Sequence, residues 1–191
     1  MTTDSGSARR LRLTVSIALA IVVLDQVTKH WAVNALAQEP PRHVIWTLQW
    51  NLAFNRGMAF SKGQGLGPII GLAAILVVVV VLLSVRKNTS TVVAAAAGFI
   101  VGGAIGNLVD RFFRDAGWLR GSVVDFIDFQ WFPIFNIADA GVNVGGVLFV
   151  LWSLFAGRRP PAATAATGSS PEEPLTMSGE SASLSDRDLS S

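Results

Sequence analysis

The chain has 191 residues, of which 51% are hydrophobic and only 15% are charged, and it contains no cysteine. Soluble domains carry about 25% charged residues, so the composition excludes an ordinary soluble globule and indicates a membrane protein. The lack of cysteine excludes disulfides, thiol nucleophiles and thiolate metal sites. Residues 160–191 hold five acids and one arginine, which leaves a charge of +6 on the preceding residues. Those basic residues flank apolar runs, a pattern typical of membrane orientation rather than of nucleic-acid binding.

Four apolar segments reach the roughly 17–25 residues that a helix needs to cross a bilayer. Because backbone polar groups must be satisfied internally in lipid, each segment predicts a helix. In chain order the predicted helices lie at about residues 11–36, 68–85, 91–113 and 134–156. They form one membrane domain over residues 11–159, preceded by a short cytoplasmic N-terminus, residues 1–10. The Ala-, Ser-, Thr- and Pro-rich segment 160–191 predicts a disordered cytoplasmic tail.

The first segment also has features of a cleavable signal peptide, because a basic start and an apolar core precede the small-residue sequence Ala35-Leu36-Ala37. However, Asp25, Lys29 and His30 lie between that core and the small residues. Such a long, charged stretch does not fit a cleavage region. An uncleaved helix is the preferred interpretation.

Clusters of basic residues predict the orientation of the helices. The clusters precede helix 1, separate helices 2 and 3, and follow helix 4: Arg9, Arg10 and Arg12; Arg86 and Lys87; Arg158 and Arg159. An even number of spans places all of them on one side, which the positive-inside rule assigns to the cytoplasm. Both termini are then cytoplasmic, and the loops at 37–67 and 114–133 lie outside.

The first outer loop contains a pattern with a period of two. Apolar residues alternate with polar ones from about Val44 to Asn55, which predicts an amphipathic strand. Its apolar face would lie on lipid head groups or cover a cleft between helices.

Polar residues converge at the outer ends of the predicted helices. A charge inside a spanning helix costs about 2.5–3.5 kcal/mol on insertion scales, so such groups usually face protein or water. The predicted cluster contains Asp25, Lys29, Asn55, Arg56, Asn107, Asp110, Arg111, Arg114, Asp125, Asp128, Asn136, Asp139 and Asn143. Glycines spaced four apart on helix 3 (Gly102, Gly106) and helix 4 (Gly141, Gly145) predict that these two helices touch.

The residue types in this cluster leave the carboxylates as the candidate catalytic groups. The chain has no His-Glu-x-x-His motif, so no metal or other cofactor is expected. No serine lies among the cluster residues to act in a serine triad. Two close carboxylates can share one proton, one acting as base toward water and the other as acid. The cluster therefore suits peptide hydrolysis by an aspartic dyad.

Several of the acids also have a structural interpretation. Asp25 is expected to pair with Lys29 or to cap nearby backbone, Asp110 to pair with Arg111, and Asp128 to be solvated in a loop. Asp139 has no cation within a helical turn, and Asp125 has none within three residues. Unneutralised acids at membrane depth are candidates for function, so these two are the catalytic candidates.

Five motifs in order resemble those of the lipoprotein signal peptidase (signal peptidase II) family, membrane aspartic peptidases of bacteria. The motifs are residues 25–29 (DQVTK), 55–60 (NRGMAF), 102–111 (GGAIGNLVDR), 123–128 (VVDFID) and 135–139 (FNIAD). Together they span most of the predicted membrane domain, about residues 11–155.

The resemblance implies an all-α membrane protein with four transmembrane helices and a small extracytoplasmic β-cradle. It implies that Asp125 and Asp139 form the catalytic dyad and leaves open which of them holds the shared proton. Residues implied to line the site and bind substrate are Asn55, Gly57, Asn107, Arg111 and Asn136, with Asp25, Lys29 and Asp110 in supporting roles.

The implied substrate is a prolipoprotein whose cysteine carries diacylglycerol, cleaved just before that cysteine. We expect a monomer in the bacterial inner membrane that contacts membrane lipids but no nucleic acid, with its active site toward the outer leaflet. The alternative is a small transporter or channel with an outer-leaflet polar site. The nearly wholly apolar inner halves of helices 2 to 4 argue against that alternative.

Overall fold

A computed structural model describes residues 5–57, 66–87, 90–115 and 117–156. The described elements are four helices and three strands: α1 (Ser5–Leu36), β1 (Arg42–Ile45), β2 (Leu48–Asn55), α2 (Gly67–Lys87), α3 (Thr91–Phe113), β3 (Val123–Asp128) and α4 (Ile137–Ala156). All four helices are long and apolar enough to cross a membrane. The expected fold class, four membrane helices with a small β unit, is confirmed. Residues 58–60 of the second motif, the basic pair at 158–159 and the predicted tail lie outside the described residues.

Two helices begin at residues other than those expected. Helix α1 begins at Ser5, because an apolar run marks only the part of a helix that lies in lipid. Helix α4 begins at Ile137 rather than near residue 134. The apolar Phe135 before it forms a β-bridge with Ile127, so this part of the apolar run belongs to the sheet.

Helix α3 packs against the other three helices. Its glycines permit this, because a Cβ on Gly98 would lie 2.8 Å from the Thr14 carbonyl oxygen of α1. On the opposite side, a Cβ on Gly145 of α4 would lie 2.6 Å from the Ala96 carbonyl oxygen of α3. The predicted contact between the third and fourth helices is confirmed.

The sheet is antiparallel with strand order β1-β2-β3. The single strand expected over 44–55 is two strands, because the chain turns at Trp46, whose φ is +54°. Strand β3 pairs with β2, with Asp125 opposite Ala53. One face of the sheet packs its apolar side chains against Ala32 and Leu36 of α1; these side chains are Trp50, Leu52, Val124 and Phe126. The apolar face therefore covers a helix, and polar side chains of β2 and β3 point the other way.

Candidate active site

Asp125 and Asp139 are held together by one asparagine. Asp125 lies on β3 and Asp139 in the first turn of α4. Between them, Asn136 Nδ2 donates to Asp125 Oδ1 over 2.6 Å, and Asn136 Oδ1 accepts the Asp139 N–H over 2.9 Å. Asp125 falls within the outer loop predicted at 114–133, but there it is part of strand β3 and only 3% exposed. Both aspartates line one cavity of about 400 Å³.

Asp139 also caps the helix that carries it. Its Oδ2 accepts the backbone N–H of Asn136 over 3.2 Å, so the two residues form a reciprocal capping box. Its Oδ1 accepts Asn107 Nδ2 over 2.8 Å. A carboxylate is favourable in the first turn of a helix because the free N–H groups there carry partial positive charge. The Asp139 carboxylate is thus fixed in place by α3 and by the start of α4.

Asp125 has a different environment. Burial raises the pKa of its carboxyl to about 7, with a further increase from the charge of Asp139. Hydrogen bonds from Asn55 and Asn136 and the charge of Lys29 act in the opposite direction. Asp125 can therefore hold a proton near pH 7, where an ordinary aspartate is ionised.

A buried lysine organises the other side of the site. Lys29 is fully buried, and its Nζ lies 2.8 Å from Asp25 Oδ2, 2.8 Å from Asp110 Oδ2 and 2.9 Å from Asn107 Oδ1. An ammonium group only donates, so the Asn107 amide must turn its oxygen toward Lys29 and its N–H₂ group toward Asp139. The expected pairing of Asp25 with Lys29 is confirmed, and Asp25 Oδ1 also accepts the backbone N–H of Ala138 over 2.9 Å.

The expected ion pair between Asp110 and Arg111 is wrong. Within the described residues, Asp110 forms ion pairs with Lys29 and with Arg114, whose Nε lies 2.6 Å from Asp110 Oδ1. Arg111 instead donates from one terminal nitrogen to the Gly57 carbonyl oxygen over 3.1 Å. Its other terminal nitrogen, NH1, is buried and has no hydrogen-bond partner within the described part of the chain. Arg111 lines the cavity that holds both aspartates, while this nitrogen would lie 3.3 Å from a Cβ placed on Gly67.

The interpretation of Asp128 as a solvated loop residue is also wrong. Asp128 is buried on β3 and accepts hydrogen bonds from Gln49 Nε2 at 2.7 Å, Asn51 Nδ2 at 2.9 Å and the Gln130 N–H at 2.6 Å. Burial raises its pKa, but these three hydrogen bonds outweigh burial and hold the pKa below the ordinary value. Gln49 and Asn51 are not among the residues predicted for the site, although their spacing on β2 places them on the polar face of the sheet.

Two residues of the expected cluster do not join the dyad. Asn143 is exposed on α4, and it does not line the cavity that holds Asp125 and Asp139. Arg56 is also exposed and lines a separate cleft with Arg120. One residue that the sequence analysis overlooked, Gln26, lies within the network, because its Nε2 donates to the Gly106 carbonyl oxygen and to Asp25.

Asp125 lies where two cavities meet, since it and Asn55 line both of them. The first has apolar walls from α2, α3 and α4, among them Ile70, Ala74, Val77, Ile100, Leu108 and Val142. The second, about 620 Å³ in volume, lies along β2 and the segment 130–134. Among the described residues, no group of three or more His, Asp or Glu side chains could hold a metal ion.

A family model described as Signal peptidase (SPase) II matches residues 17–155. A lipoprotein signal peptidase of Mycobacterium avium is 45% identical over 148 residues, which cover 77% of this chain and 81% of that protein. The lipoprotein signal peptidase of Rhodococcus jostii is 39% identical over 150 residues, covering 76% and 74% of the two chains. A solved bacterial membrane enzyme superposes with a TM-score of 0.69 at 26% identity, covering 78% of this chain and 93% of its own.

Proposed function

The chain belongs to the signal peptidase II family, and from this membership we propose how its residues divide the work of removing lipoprotein signal peptides. The catalytic pair is Asp125 and Asp139. The observation that carries the assignment is their joint position in one cavity, joined through Asn136. The transporter alternative is not favoured, because the relatives over most of the chain are peptidases.

In the proposed reaction, Asp139 is the base and Asp125 is the acid. Asp139 removes a proton from a water molecule, which attacks the carbonyl carbon of the scissile bond. Protonated Asp125 donates a hydrogen bond to the developing oxyanion and then helps to protonate the leaving amine. The raised pKa of Asp125 supports this division of roles, because the acid must hold a proton near neutral pH.

Neighbouring polar groups bind the substrate backbone in this proposal. Arg111, which lines the cavity beside both aspartates, donates to a substrate carbonyl. Asn55 and Gly57 also line the cavity, and the Asn55 side chain is fixed by the Gly57 N–H over 3.0 Å. Asn107 and Asn136 hold the aspartates, while Asp25, Lys29 and Asp110 support Asn107 and the start of α4.

The apolar cavity suits the acyl chains of a diacylglyceryl cysteine. Its walls come from α2, α3 and α4, which are all apolar enough to cross a membrane, and they extend from Asp139 to apolar side chains such as Val77 and Ile100. Cleavage then falls just before the lipidated cysteine. The basic clusters support cytoplasmic termini, with the dyad toward the outer leaflet of the bacterial inner membrane. The enzyme works as a monomer, because one chain supplies both aspartates.

Cleavage of a lipidated precursor in liposomes tests the dyad. Asp125→Asn and Asp139→Asn should each lower kcat by at least about 10²-fold, the usual contribution of a general acid or base. Asp115→Asn is the matched control, because Asp115 is exposed and its carboxylate accepts hydrogen bonds from Ser122 outside the dyad. It should retain activity. Full activity of either dyad variant would refute the assignment, and equal cleavage of an unlipidated precursor would refute the lipid requirement.

A further inference from the structure

The second cavity is a groove that leads away from the dyad. It begins at Asn55 and Asp125 and continues past Ala53 to Gln49 and Asp128. Its described lining comes from β2, β3 and the segment 130–134, with no residue from a helix. We call this cavity the sheet groove. It differs from the apolar cavity in what lines it, although both open on Asp125.

The floor of the sheet groove is polar and held rigidly. Asp128 accepts hydrogen bonds from Gln49 and Asn51 of β2 and from the Gln130 N–H. Gln130 Nε2 donates to the Thr47 carbonyl oxygen over 3.1 Å and so ties the segment 130–134 to the turn between β1 and β2. A floor fixed in this way can present amide and carboxylate groups to a bound chain without first becoming ordered.

The walls of the sheet groove are aromatic and incompletely buried. Phe54 is 55% exposed, Phe132 is 46% exposed and Trp131 is 73% exposed. Trp131 makes an edge-to-face contact with Phe132, with the ring centroids 5.9 Å apart. Aromatic walls over a polar floor suit a polypeptide, whose backbone needs hydrogen bonds and whose side chains need apolar contact.

The length of the groove suits an extended peptide. From Asn55 to Gln49 the strand advances six residues, about 20 Å at roughly 3.3 Å per residue. A bound chain lying along β2 would therefore place about six residues in the groove.

We propose that the sheet groove binds the first residues of the mature chain, those that follow the lipidated cysteine. This inference rests on the proposed function. The acyl chains occupy the apolar cavity, and the hydrophobic signal segment remains in lipid. The mature chain is the polar part of the substrate, and the sheet groove is the polar path from the scissile bond.

The charge of the groove predicts which mature chains bind best. Asp128 lines it and is ionised, because its hydrogen bonds hold its pKa below the ordinary value. No lysine, arginine or histidine lines the groove among the described residues. Acidic side chains in the first few mature positions are therefore repelled, whereas neutral or basic side chains are accepted.

Lipidated precursors of different length test the proposal in liposomes. In one series the mature part has one, three or six residues after the cysteine; in a second series the signal segment is extended instead. In the full-length wild-type enzyme, kcat/KM should rise by about tenfold from one to six mature residues, the effect of about 1.4 kcal/mol of added binding. Trp131→Ala should reduce the ratio of kcat/KM between the six-residue and the one-residue precursors to near one. Trp118→Ala, which alters an exposed tryptophan outside the groove, should keep the wild-type ratio.

A charge series gives a second, independent measurement. Aspartate at the third mature position should lower kcat/KM several-fold relative to asparagine, and Asp128→Asn should reduce this discrimination. The groove assignment alone would be overturned if all precursors were cleaved with a kcat/KM that does not depend on mature length. It would also be overturned if kcat/KM rose only when the signal segment was extended. Failure of the wild-type enzyme to cleave any lipidated precursor would instead overturn the proposed function and the groove with it.

Discussion

Replacing Asn55 by leucine would remove the 3.2 Å hydrogen bond from Asn55 Nδ2 to Asp125 Oδ2. That bond favours the ionised form of Asp125, and its loss should raise the pKa of this carboxyl above its value of about 7. A hydrogen bond to a charged group contributes about 1.5–3 kcal/mol. Because this bond is long and Asn55 is only half-buried, we take the lower end of that range. One pKa unit corresponds to about 1.4 kcal/mol, so the expected increase is about one unit.

The sign of the effect on cleavage follows from the role of Asp125 as acid. Activity requires its protonated form, so kcat/KM should fall as the pH rises through the pKa of Asp125. In Asn55→Leu this alkaline fall should occur about one pH unit higher than in the wild-type enzyme. The maximum of kcat/KM should decrease at the same time, because Asn55 also lines the substrate cavity.

The measurement is the pH profile of kcat/KM for a lipidated precursor in liposomes, which reports the ionising groups of the free enzyme. Asn51→Leu is the matched control, since Asn51 lies on the same strand and donates a 2.9 Å hydrogen bond to Asp128 rather than to Asp125. The alkaline fall should keep its wild-type position in this control. The same position in Asn55→Leu, or a shift to lower pH, would refute the assignment of Asp125 as the acid.

Two further predictions concern stability in detergent. Lys29→Met leaves two carboxylates buried without their shared cation, so the free energy of unfolding should fall by about 3–5 kcal/mol; an unchanged unfolding midpoint in denaturant would contradict the buried network. Gly145→Ala places a Cβ 2.6 Å from a carbonyl oxygen of α3, which should cost about 1–3 kcal/mol. Gly146→Ala meets nothing within 4 Å and should be neutral or slightly stabilising in the same denaturant assay. Equal losses at both glycines would argue against this packing.

The helices could be predicted because hydropathy is a local property. A run of apolar residues long enough to cross a bilayer has few other interpretations. Strand β3 could not be predicted in this way. Five of its six residues are buried, so it lacks the alternation that marked β2, and it is too short to resemble a spanning segment. For the same reason the predicted start of α4 is too early. The apolar Phe135 pairs with Ile127 of the sheet and does not belong to the helix.

The polar residues of the site could be named from the sequence, but their partners could not. Their adjacent positions predict an ion pair between Asp110 and Arg111, yet adjacent residues on a helix do not face each other. Arg114, one turn further on, does face Asp110. Its second partner, Lys29, lies on another helix. Such a pairing depends on how α1 packs against α3, which no local pattern encodes.

The buried charges are better explained by the site than by stability. Removing charged groups from water is costly, and buried ion pairs are often no more stabilising than apolar residues of similar size. Here the cluster does two things that apolar side chains cannot do. Asp25 accepts the Ala138 N–H and so fixes the first turn of α4, which carries Asp139. Lys29, which can only donate, orients the Asn107 amide so that its N–H₂ group meets Asp139. An acceptor at the position of Lys29 would turn that amide around and present an oxygen to the Asp139 carboxylate, so the positive charge is needed for the geometry of the proposed base.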